Sequence, residues 1–114
     1  MKLQQIADLV EGKICTCTAN GGLELTKAFT SDLMSDVLRF PMDETLLITG
    51  LCNTQTIRTA EMADLQVVII GRGKQPDEEM LSLAEESGIT IITSKLSLFM
   101  MSAILYNAGL QPPY

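Results

Sequence analysis

Histidine and tryptophan are absent from this 114-residue chain, and aromatic residues amount to 4%. Without histidine, no serine, cysteine or lysine can be matched to an imidazole base, and a metal site would have only thiolates and carboxylates to draw on. Aromatics this sparse give no stacking platform for nucleic-acid bases. Positive charge is also short: 8 Lys and Arg stand against 14 Asp and Glu, a net charge of −6, which argues against a broad nucleic-acid or anionic-membrane surface. No apolar run approaches the ~20 residues of a membrane span. Met1-Lys2-Leu3-Gln4-Gln5 turns amphipathic at once, with no secretory pattern, so a cytoplasmic location is expected. The three cysteines, Cys15, Cys17 and Cys52, are an odd and sparse set; reduced, mostly buried thiols are expected, with no metal.

What is present is a well-patterned globular chain, 46% apolar and 19% charged, read as one domain over residues 1–114. Leu65-Gln66-Val67-Val68-Ile69-Ile70 organises it. Four consecutive branched aliphatics without polar alternation predict a strand covered on both faces, as in a parallel sheet between helical layers. Gly71-Arg72-Gly73-Lys74 follows at once, and strand tips of this kind are where open α/β sheets bind ligands. Two more buried strands are read at Leu46-Leu47-Ile48-Thr49 and Ile89-Thr90-Ile91-Ile92-Thr93, and a shorter β segment over Ile14 to Thr18. Asn20-Gly21-Gly22 reads as a turn, after which Leu23 to Thr26 resumes extended structure.

Helices alternate with these strands. Leu3, Ile6, Ala7, Leu9 and Val10 form one apolar face, closed by Gly12. Leu33, Met34, Val37 and Leu38 predict a helix opened by Thr30 or Ser31 and stopped by Pro41. Asn53 or Thr54 caps a helix through Ile57, Ala60 and Met62, and Pro76-Asp77-Glu78-Glu79 starts another that ends at Gly88. The last helix spans roughly Leu96 to Asn107. The sum is a three-layer α/β/α sandwich with a mainly parallel sheet. The last helix is apolar nearly all round, which predicts a second covering surface, a second copy of the chain, with Phe99, Met101, Ile104 and Leu105 at the interface.

If the strands run parallel, their exits gather on one edge. Ser31, Asp32, Asn53, Thr54, Arg72, Lys74, Ser94 and Lys95 are then the candidate ligand contacts, with cations beside helix N-termini suited to a phosphate or nucleotide. Arg72 and Lys74 as mere solvation of a surface loop stand as an equal alternative. Gly71-Arg72-Gly73-Lys74 is no P-loop, since Gln75 follows the lysine where that motif requires Ser or Thr. Asp32 and Asp36, four apart, could share a helix face as paired carboxylates or metal ligands, although a solvated, capping face is the commoner use of such a pair.

Three stretches resemble the DRTGG domain family: TKAFTSDLMSDVL (26–38), VVIIGRGKQPDEEML (67–81) and ITIITSKLSLFMMSAILYNAGL (89–110). The resemblance covers nearly the whole chain, and its most specific part is Ser31-Asp32-Leu33 followed by Ser35-Asp36-Val37. Where the family's Thr-Gly-Gly would fall, this chain has Thr26-Lys27-Ala28, which removes a permissive backbone turn. The resemblance implies an α/β fold similar to the N-terminal domain of HPr kinase/phosphorylase, without catalytic residues or a cofactor. It also implies an accessory, regulatory role, with dimer formation beside an adenine-nucleotide site. The expected function is therefore a non-enzymatic, homodimeric regulatory module, binding an adenine nucleotide or another phosphorylated small molecule. The alternatives are a structural subunit of a larger protein complex and, less favoured, a small metal-dependent phosphatase using Asp32 and Asp36.

Overall fold

The computed structural model describes residues 1–16 and 22–114; Cys17 and most of the expected turn at Asn20-Gly21-Gly22 lie outside the described residues. In chain order the elements are α1 (Leu3–Leu9), β1 (Lys13–Ile14), β2 (Lys27–Thr30), α2 (Met34–Val37), β3 (Thr45–Thr49), α3 (Thr54–Met62), β4 (Val67–Ile70), α4 (Glu78–Ser87), β5 (Thr90–Thr93) and α5 (Leu98–Asn107). The five strands form one sheet in the order β1-β5-β4-β3-β2. β2, β3, β4 and β5 run parallel, and β1 joins β5 antiparallel, with Lys13 opposite Thr93. The mainly parallel sandwich expected from the sequence is the fold observed.

Strand alternation builds the two apolar layers. Leu46, Ile48, Val67, Ile69 and Ile92 point to one face, where α1 and α5 cover them with Leu3, Ile6, Met101 and Leu105. Leu47, Val68, Ile70 and Ile91 point to the other face, under Val37, Ile57, Ala60, Met80 and Ala84 of α2, α3 and α4. Each buried aliphatic side chain stabilises the fold by ~1.5–3 kcal/mol, against ~0–1 for an exposed ion pair, so these layers and not the surface charges fix the architecture.

Caps set the helix starts. The side-chain oxygens of Asn53, Asp77 and Ser97 accept from the backbone N–H three residues on, at the heads of α3, α4 and α5. Gly88 closes α4 in the left-handed conformation, with φ 70°. Gly12 acts differently from the expected helix stop. α1 ends at Leu9, Glu11 takes the left-handed turn (φ 54°), and a Cβ on Gly12 would stand 2.7 Å from Ile92 Cγ2. Gly12 is what lets the turn into β1 lie against β5.

The second helix is much shorter than the sequence predicts. β2 continues to Thr30, and Ser31 Oγ accepts from Leu33 N (3.0 Å), so α2 begins only at Met34, with no side-chain cap. The free edge of β2 is guarded by the C-terminal segment. Ala28 N donates to Gln111 O (3.0 Å), and Gln111 N to Thr26 O (3.0 Å). Pro112 and Pro113 then lack the N–H groups that would extend the ladder. Tyr114 stacks on Phe40, centroids 4.1 Å apart.

Candidate functional site

Because β2, β3, β4 and β5 are parallel, their C-terminal ends share one edge of the sheet, and the loops carrying Ser31-Asp32, Gly50 to Asn53, Gly71 to Lys74 and Ser94-Lys95 leave from that edge. This rim has two halves of different character.

Over β2, β3 and β4 the rim is occupied by its own side chains, all converging on Gly50. Asp32 Oδ1 accepts from Gly50 N (2.7 Å) and from Thr49 Oγ1 (2.9 Å). Lys74 Nζ donates to Gly50 O (2.7 Å), and Arg72 Nη2 lies 3.8 Å from Asp32 Oδ2. The Gly50 amide is the main cause holding the Asp32 carboxyl below its ordinary range, followed by Thr49 and the charges of Arg72 and Lys74, which together outweigh partial burial. Arg72 itself sits at φ 62°, a conformation unusual for a residue with a side chain, fixed where its N–H donates to Leu96 O (2.9 Å). Burial pushes the nearby Cys52 thiol up, making it a poor nucleophile.

Over β4 and β5 the rim is open. A cavity of about 410 Å³ is lined there by Glu11, Lys13, Gly73, Gln75, Thr93 and Lys95, among others. Lys95 Nζ lies 3.4 Å from Glu11 Oε1, both side chains well exposed. Lys13, Gln75 and Glu11 were not among the sequence candidates. Lys13 carries no local signal of this placement, since it reaches the edge where the parallel strands end only through the antiparallel pairing of β1 with β5.

Asn53 is the α3 cap, its oxygen accepting from Thr56 N (2.9 Å) and Thr56 Oγ1 (3.1 Å). Thr54 faces the groove between α3 and α4 with Arg58 and Glu79, away from the cations of the rim. Ser94 is buried, donating to Val10 O (2.7 Å) and accepting from Leu96 N (3.1 Å), so its hydroxyl is spent on holding α1 and the head of α5. Asp32 and Asp36 do not form a carboxylate pair: Asp32 turns to Gly50 from outside the helix, and Asp36 Oδ1 lies 3.9 Å from Arg39 Nη1. No group of three or more metal-ligating side chains occurs among the described residues.

The interface candidates on α5 divide. Met101 and Leu105 are 0% exposed, packed in the core of their own chain, so neither is available to a partner. Their i, i+4 spacing puts both on the helix's inward stripe. Ile104 is half-buried, and Phe99, 84% exposed, faces outward with Tyr106 and Met100. Beside them an apolar groove of about 380 Å³ runs between α5 and β2, lined by Ala28, Phe99, Ala103, Tyr106, Leu110 and Pro112, among others.

No family model matches the sequence, and no curated protein matches it. Among solved structures, the chain superposes on the CBS and DRTGG domains of the regulatory region of a Clostridium perfringens pyrophosphatase, with a TM-score of 0.78 at 18% identity. The fold is DRTGG-like. The match takes in 91% of this chain and 45% of the pyrophosphatase chain, so this chain spans under half of that neighbour. That protein was solved in complex with its activator, diadenosine tetraphosphate. No helix among the described residues is long and apolar enough to cross a membrane.

Proposed function

We propose that this chain is a non-catalytic regulatory module of the DRTGG type that binds a small phosphorylated ligand, an adenine nucleotide by preference, at the C-terminal edge of its sheet. The carrying observation is convergence. Two cations, Lys13 and Lys95, line the open cavity on one rim of a chain whose net charge is −6, while Arg72 and Lys74 beside it are engaged by Asp32 and the Gly50 carbonyl. A local positive field in an acidic protein attracts anions to that place. The structural neighbour's nucleotide activator supports the ligand class, and its regulatory region supports the role.

The module pairs with a second copy of itself through the outward side of α5. Phe99 and Tyr106 are exposed, the groove beside them is apolar, and α5 carries no charged residue. In a protein of this net charge, an uncharged face is where a second acidic copy is repelled least.

Thermal melts across a panel of nucleotides and sugar phosphates test the ligand reading. A ligand at 100 times its Kd adds ~2.7 kcal/mol, which raises the Tm of a domain this size by roughly 10 °C. If no phosphate-bearing compound moves the transition, the reading is abandoned, and a purely structural subunit takes its place.

A further inference from the structure

We infer that the ligand seat is the crevice between β4 and β5, with Lys13 and Lys95 as its anion-binding pair, and that it takes a phosphomonoester whose organic part carries hydroxyl groups. This rests on the ligand-binding reading above and names its place and chemistry.

Topology sets the place. The chain leaves β4 for α4 on one face of the sheet and leaves β5 for α5 on the other. Adjacent strands whose exits part in opposite directions leave a gap between them, the switch point at which open α/β sheets bind ligands. β4 and β5 are that pair here, and the open cavity of the rim lies at their tips. Its floor is closed by backbone bonds from Gly73 N to Ser94 O (3.0 Å) and from Ser94 N to Ile70 O (2.9 Å).

Backbone conformation marks the same spot. Among the described residues, four without a glycine's freedom adopt positive φ, and one of them, Glu11, lines this crevice, with Gly73 (φ 74°) in its wall next to Arg72 (φ 62°) in the chain. Such conformations cost energy and persist where the surroundings hold them, often at binding sites.

The chemistry follows from the lining. Lys13 has no ion-pair partner among the described residues, and Lys95 shares only an exposed contact with Glu11. Two ammonium groups against one carboxylate leave a single net positive charge, suited to one phosphate and poorly suited to a polyphosphate chain. Glu11 and Gln75 then supply an acceptor and an amide for hydroxyl groups. The neighbouring half of the rim is not the seat. Arg72 is taken by Asp32, and Lys74 by the Gly50 carbonyl, so an anion there would have to displace contacts already made.

Calorimetric titration of AMP, ribose 5-phosphate and inorganic phosphate into the wild type, Lys13→Gln, Lys95→Gln and Lys74→Gln decides the matter. All three lysines are exposed, so an unchanged melting curve certifies each variant as folded. AMP and ribose 5-phosphate are expected to bind the wild type more tightly than inorganic phosphate. Lys13→Gln and Lys95→Gln are each expected to weaken them about tenfold, and Lys74→Gln by less than about twofold, as expected for loss of one charge-assisted contact at the seat and none beyond it. Weakening by Lys74→Gln alone overturns the inference while leaving a phosphate-binding rim intact. Equal affinity for inorganic phosphate overturns the assigned ligand class. No binding of any of the three to the wild type overturns the inference together with the reading beneath it.

Discussion

The guanidinium of Arg72 lies across the open face of Gly50, so close that a Cβ built on Gly50 would stand 2.1 Å from Arg72 Nη2. A side chain there would push the Arg72 guanidinium off this position. The arrangement lets one residue at the tip of β3 anchor two side chains from the β4–α4 loop and one from the β2–α2 loop. Asp32 takes its amide, Lys74 takes its carbonyl, and Arg72 covers its Cα. The cluster ties three strand exits together, so its charges act as a latch on the rim.

Acid titration reports on that latch. A carboxyl whose folded pKa lies below its ordinary 3.8 contributes stability that is present above the unfolded value and is lost as pH falls through the folded one. Asp32→Asn keeps an oxygen to accept from Gly50 but removes this contribution. The variant's stability is therefore expected to fall less steeply than the wild type's as pH drops below about 4, where unfolded aspartates titrate. Urea unfolding at a series of pH values measures both slopes; parallel curves would show that Asp32 feels no latch.

Packing under the rim is expected to be unforgiving. A Cβ on Gly71 would meet Met101 Cε at 2.7 Å and Leu98 Cδ2 at 2.8 Å. Gly71→Ala should cost about 1–3 kcal/mol by overpacking, and Met101→Ala about 2–5 kcal/mol by leaving a cavity on the same contact. Denaturant midpoints shifted by these amounts at unchanged slope are the expected result.

Asn53 is assigned to structure before ligand. Asn53→Ala removes the α3 cap and should cost ~1 kcal/mol, with AMP affinity unchanged. A variant that keeps full stability and loses affinity would return Asn53 to the binding site.

Self-association is tested on the outward side of α5. Phe99→Asp puts a charge at an 84% exposed position, so it should leave the fold intact and shift sedimentation from dimer to monomer. Met101→Asp is the control, expected to unfold the chain, since an unpaired charge would enter the core. A wild type that sediments as a monomer contradicts the dimer outright.

The layered sheet was legible because its signals are local. Val67–Ile70 could be apolar without alternation only if both faces were covered, and Asn53, Asp77 and Gly88 mark helix ends by side-chain or backbone chemistry of their own. The second helix was misread because Ser31-Asp32 resembles a helix start, yet Asp32 is claimed by Gly50, 18 residues later in the chain. Met101 and Leu105 were assigned outward for a related reason. A helix with so few polar residues does not say which stripe faces inward, and that is decided by β2, β3 and α1. Half of the candidate site was missed because Lys13 reaches the rim only through the antiparallel pairing of β1 with Thr93, a long-range event with no local signature.

Where a phosphorylated ligand touches the sheet edge is read most directly by an amide-resolved NMR titration with AMP. The expected shifts cluster at Glu11, Gly12, Lys13, Gly73, Gln75 and Lys95, around the tips of β4 and β5. Shifts confined to Ser31 through Asn53 or to α5, or a spectrum that does not change at millimolar AMP, would contradict that placement.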